Sequence, residues 1–126
     1  MKVRKVSDRL SPHFTRAEFK CRCRRAECDA RPVNKVFLAK LELLRIEWGG
    51  ALVPTSGQRC AFWNARVGGS PRSQHMLGRA ADFWLPAADV PTFVALAEKH
   101  AFGGIGKGVH LVHLDGRPGE ARWEYD

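Results

Sequence analysis

From Val33 to Trp48 the apolar residues fall at Phe37, Leu41, Leu44 and Trp48. Steps of four, three and four place them on one face of an amphipathic helix, and Gly49-Gly50 ends it. That face needs an apolar partner. The chain beyond it is cut by glycine and proline into pieces too short for anything but small strands and one more helix. Leu52–Ser56 reads as a short strand, with Pro54 at an edge or an end. Cys60–Arg66 reads as a helical turn, Val67–Arg72 as a loop and Arg79–Leu85 as a strand. Asp89 is the expected N-cap of a helix over Val90–His100, with Pro91 in its first turn. Gly103-Gly104 breaks that helix, Val109–Leu114 is a core strand, 116–119 a turn, and Ala121–Trp123 a returning strand.

Upstream, Leu10–Phe14 reads as an extended lead-in, and Thr15-Arg-Ala-Glu18 matches a capping box opening a short helix through Phe19. Cys21–Arg31 lacks periodicity and reads as a loop. The sum predicts an α+β fold, a short, largely antiparallel sheet with helices packed on it. The 126 residues fit one domain, residues 1–10 being an extended lead-in. Trp48, Trp84, Trp63 and Trp123 are expected in the core, the last two having a cleft wall as their other reading. His13 and His100 have no partner that the sequence reveals.

With 44% hydrophobic and 10% aromatic residues, the composition argues against disorder. No apolar run approaches the roughly 18 residues of a membrane span. The basic N-terminus has no apolar h-region, so the chain is expected to be made in the cytoplasm and either kept there or released by another route such as cell lysis, as a phage-encoded lysis enzyme would be. The net charge of +8 implies attraction to polyanions: nucleic acid, anionic membrane or cell wall. Cys21, Cys23, Cys28 and Cys60 are open to three readings: free thiols, two disulfides or one structural metal site. Their spacing is not a standard zinc-finger pattern, and free thiols are the default without a signal peptide.

Metal-type ligands concentrate in two segments, 73–82 and 110–115. A catalytic zinc takes three protein ligands and keeps one position open. His75 and Asp82 are seven apart, and a turn at Gly78 would bring them together. His113, from a partner strand, is the candidate third ligand.

Ser73-x-His75-x-x-Gly78-x-Ala80-x-Asp82 resembles the S-x-H-x-x-G-x-A-x-D signature of the D-alanyl-D-alanine carboxypeptidase family of zinc peptidases, whose relatives include phage endolysins that cut peptidoglycan peptides. The likeness extends to Ser56-Gly-Gln-Arg59 with Asn64, to Gly68-Gly69, to His113-Leu-Asp115 with Arg122-Trp123, and to the opening 11–19. It implies a hedgehog/D-Ala-D-Ala-peptidase-like fold and one catalytic zinc on His75, Asp82 and His113. It implies Arg59 as the grip on a substrate carboxylate or an oxyanion, and Ser73 beside the ligands or at substrate. Relatives often carry a carboxylate three residues before the last histidine ligand. Here His110 stands there and is the first candidate for general base, with Asp115 as second candidate or as orienter of His113. In a regular strand His110 and His113 point to opposite faces, so His110 reaches the site only if the strand begins after it or bulges.

The resulting expectation is a monomeric zinc peptidase with a peptidoglycan peptide as partner, without membrane insertion or nucleic acid. The alternatives are an impaired zinc-containing protein that binds wall peptides and a basic, metal-stapled nucleic-acid-binding module.

Overall fold

A computed structural model of the chain describes residues 8–28 and 31–125. Residues 1–7 of the expected lead-in lie outside the described residues. Residues 8–15 form more than an extended lead-in. Strand β1 (Arg9–Ser11) turns and pairs antiparallel with β2 (Phe14–Thr15). Thr15 then opens α1 (Arg16–Phe19) with the expected capping box: the Glu18 N–H donates to Thr15 Oγ1 and the Thr15 N–H donates to Glu18 Oε1.

The long helix α2 (Lys35–Trp48) starts at Asn34, whose side chain accepts from the Phe37 N–H, and stops at Gly49 in the left-handed region. Phe37, Leu41 and Leu44 are buried as the periodicity requires, and Trp48 packs edge-on against Phe93. Glu42 is buried among them. It accepts from Ser11 Oγ and the His13 N–H, and it pairs with His13 Nδ1 at 2.5 Å. His13 thus has a partner, and so does His100, which lies against Glu47.

The remaining elements are β3 (Pro54–Ser56), α3 (Ala61–Arg66), β4 (Ala80–Trp84), α4 (Val90–Lys99), β5 (Gly104–Lys107), β6 (Leu111–Asp115) and β7 (Ala121–Glu124). The sheet order is β3-β4-β6-β5-β7, with every pair antiparallel except the parallel β5–β7. This is the expected α+β architecture. Ala81 and Phe83 of β4, Val112 and Leu114 of β6, and Ile105 of β5 form one core with α2 and with Phe93, Val94 and Ala97 of α4. Burial of side chains such as Phe83, Phe93 and Leu41 contributes roughly 1.5–3 kcal/mol each.

Three local expectations change. Gly104 does not merely break a helix; it opens β5. Asp89 does not cap α4, because its backbone is already helical at the end of a 3₁₀ turn over Ala87–Asp89, and its side chain makes no cap hydrogen bond. Trp84 is not a core residue. It ends β4 and is 59% exposed.

Candidate metal centre

The strand alternation that sends Ala81, Phe83, Val112 and Leu114 into the core sends Asp82, His113 and Asp115 to the opposite face. The register then aligns them. Ser56 pairs with Asp82, Asp82 with His113, His113 with Gly106, and Gly106 with Trp123, forming one row across all five strands. The neighbouring row places Ala80 and Gly104 on either side of Asp115.

His75 comes from outside the sheet. The Ser73 hydroxyl caps a 3₁₀ turn over Gln74–Leu77 by accepting from the His75 N–H. Gly78 ends that turn at φ +70°, where a Cβ would also meet the Pro32 carbonyl at 2.6 Å. Only glycine fits both conditions without strain. The chain is thereby returned to β4 with His75 over Asp82.

Ligand atoms of His75, Asp82 and His113 lie within 4.8 Å of one another. Asp82 Oδ2 is 3.2 Å from His75 Nε2, and Asp82 Oδ1 is 2.8 Å from His113 Nδ1. The outward nitrogen of each imidazole is also taken. His75 Nδ1 is 2.7 Å from the Gly57 carbonyl, and His113 Nε2 is 2.7 Å from Asp115 Oδ2. These contacts fix the tautomers and leave His75 Nε2 and His113 Nδ1 facing Asp82. Two imidazoles and a carboxylate with ordered outer partners fit a catalytic divalent-metal site.

Electrostatics agree. Burial works to raise the Asp82 carboxyl, but hydrogen bonds from His113 and His75 outweigh it and hold Asp82 well below the usual carboxylate range. For Asp115 burial is likewise outweighed, by hydrogen bonds from His113 and Arg117. Burial would lower His113, but the carboxylates of Asp115 and Asp82 raise it. Asp82 therefore sets a negative charge between the two imidazoles, where a cation would sit.

Arg59 is held by three partners: Nε donates to Ser56 Oγ, one terminal nitrogen to Asn64 Oδ1 and the other to Asp82 Oδ2. Asn64 is itself fixed by donating to the Ser70 carbonyl. Arg59, Ser73, His75, Asp82 and His113 line a cleft of about 610 Å³, together with Arg117, Trp123 and Tyr125.

Asp115 is fully buried, with both oxygens engaged by Arg117 and one by His113. That geometry fits the orienter reading and leaves it no access to substrate. His110 does not join the site. Strand β6 does begin after it, as a base at this position requires. Yet its ring stacks on Trp84, with centroids 4.8 Å apart at 11°, and its Nδ1 lies 2.9 Å from the Leu85 carbonyl. It is not a lining residue of the cleft.

Arg117 and Tyr125 were not legible as site residues. Arg117 sits in a segment that reads as a plain turn, and its only signal is its place two residues after Asp115. It also lies over the Trp123 ring at 5.0 Å. Trp123 lines the cleft, and Trp63 packs against the cysteines.

The four cysteines, read as free thiols by default, carry no disulfide. Cys60 is pulled down to about 7, first by the Trp63 N–H. Cys28 is pushed up to about 12, first by its hydrogen bond with Cys23.

No helix among the described residues is long and apolar enough to cross a membrane. The family model described as Peptidase M15 matches residues 12–115. A search of curated proteins gives no match.

Proposed function

The chain belongs to the peptidase M15 family, and from that premise we propose that it is a zinc-dependent peptidase of peptidoglycan peptides, with zinc on His75, Asp82 and His113. The convergence of these three ligands beside Arg59 is the observation that carries the reading. When bound, the ion supplies Lewis acidity, polarising the scissile carbonyl and lowering the pKa of water.

The chain's own residues do the rest. Gly57 and Asp115 hold the two imidazoles in the tautomers the ion needs. Asp115 is a positioning residue, clamped by Arg117 so that its carboxylate stays charged. Arg59, held by Ser56, Asn64 and Asp82, presents a guanidinium that grips a substrate carboxylate or steadies developing oxyanion charge. Trp123 and Tyr125 give the cleft an aromatic wall for the peptide. The positive net charge favours a wall rich in carboxylates and phosphates.

The bond cut lies next to a D-alanine, in a stem peptide or a cross-link. Defined peptidoglycan fragments, incubated with the protein with and without a zinc chelator and analysed by mass spectrometry, test this. Chelator-sensitive loss of one alanine identifies a carboxypeptidase. Conversion of dimers to monomers, or release of stem peptides, identifies an endopeptidase or an amidase-like lysin. A second reading, a zinc-containing protein that binds wall peptides without cutting them, is favoured by one observation. Among the described residues lining the cleft, no carboxylate or imidazole stands besides the three ligands. Unchanged fragments in a sample that contains zinc would establish it instead.

A further inference from the structure

Among the described residues away from the cleft, one cluster of metal-type side chains is left without a role. Cys21 and Cys23 follow α1, Cys28 closes a 3₁₀ turn over Ala26–Cys28, and Cys60 caps α3. The four Sγ atoms all lie within 4.8 Å of one another. A disulfide takes sulfurs in pairs at about 2.05 Å. A tetrahedral zinc–thiolate site, with bonds of about 2.3 Å, sets all four sulfurs about 3.8 Å apart. The observed grouping is four-way, and contraction by no more than about 1 Å would close that tetrahedron.

Three of the four sulfurs have a backbone donor of the kind a metal-bound thiolate uses. Backbone N–H groups point at three of the sulfurs: Arg25 at Cys23 (3.4 Å), Cys60 at Cys21 (3.3 Å) and Trp63 at Cys60 (3.4 Å). Hydrogen bonds of this kind favour the charged form of the ligand. Cys21, Cys28 and Cys60 are buried, whereas Cys23 is partly exposed, so an ion has a way in. A dication on four thiolates leaves two negative charges. The adjoining hollow is lined by Lys20, Arg22 and Arg24, which oppose them.

We propose that Cys21, Cys23, Cys28 and Cys60 together bind a second divalent cation, a structural zinc separate from the His75–Asp82–His113 centre. Soft thiolate donors select zinc over harder cations. Four protein ligands leave no open position, so the ion holds structure and does no chemistry. On binding, the thiols release their protons to solvent. The zinc joins the loop after α1 to the segment that carries Arg59, the residue next to Cys60. It therefore fixes one wall of the cleft from behind.

The test uses the full chain, purified under reducing conditions, stripped of metal and titrated with cobalt(II). The expected result is an intense sulfur-to-cobalt charge-transfer band that saturates at one ion. It persists in His75→Ala, which disables only the imidazole–carboxylate site, and weakens sharply in Cys28→Ser. Should Cys28→Ser not fold, the wild type still decides. Zinc must shield the thiols from an aromatic disulfide reagent until a chelator is added. Thiols that react equally fast with and without zinc overturn the proposal, as does a mass short of four hydrogens, which means two disulfides. The two centres fail separately. One bound ion without the thiolate band removes this site only, whereas a thiolate band with metal content unchanged in His75→Ala removes the other.

Discussion

The proposed zinc centre rests on three side chains, and its neighbours give it its tests. His75→Ala should lose one equivalent of zinc, measured by elemental analysis, and all peptide hydrolysis with it. Arg59→Ala should keep that zinc and lose about 10²–10³-fold in kcat; loss of metal from this variant would mean that Arg59 serves Asp82 rather than substrate. Asp115→Ala removes the partner of His113 Nε2. It should weaken zinc binding roughly 10–100-fold, seen by competition with a chromophoric chelator. His110→Ala should leave turnover unchanged, since its ring is committed to Trp84 and the Leu85 carbonyl; a large loss in a steady-state assay would return His110 to the mechanism. The three residues that converge in the cleft were legible in the sequence because a ten-residue pattern held two of them and the third sat in the segment 110–115 with its two histidines. The placement of His110 was not legible, because the sequence gives its distance from His113 but not its rotamer, and an exposed indole next to it offers a stacking surface.

Among the elements, the ones that announce themselves by repetition were legible. Helix α2 carries regular apolar spacing and an αL glycine stop, and the capping box of α1 is a four-residue signal with both hydrogen bonds made. Strand β5 was hidden because its sequence, Gly-Ile-Gly-Lys, offers two glycines where strands favour β-branched residues. Those glycines answer to partners far away in the chain. At Gly104 a Cβ would stand 2.1 Å from Asp115 Oδ2. Gly104→Ala should therefore displace the Asp115 carboxylate and destabilise the fold by about 1–3 kcal/mol. Urea denaturation measures the second effect, and zinc affinity the first. Trp84 was misplaced for the converse reason: an aromatic at a strand end matches a core residue in composition, and only the register puts it on the open face.

At the scale of the whole molecule, charge is the property to test. Burial works to raise the Glu42 carboxyl, but hydrogen bonds from His13 and Ser11 lower it below its ordinary value. A carboxyl lowered in the folded state stabilises the fold above its unfolded pKa of about 4.3, and the contribution is lost as pH falls through the folded value. Glu42→Gln should flatten the acid limb of a stability–pH curve while the neutral plateau drops; an unchanged acid limb would show that the buried pair does not couple folding to protons. The charge of +8 should make retention on isolated cell walls fall as salt rises, since screening shortens to about 8 Å at 0.15 M ionic strength.

The cross-strand row that runs through Asp82 and His113 also ties the site to a single register of the sheet. Consecutive residues of β4 and β6 serve opposite faces, so a slip of one position would turn Phe83 and Val112 outward and Asp82 and His113 into the oil of the core. Such a chain would have neither a stable interior nor a place for the ion. On the zinc reading, a molecule that retains its ion is one whose strands have met in the right frame.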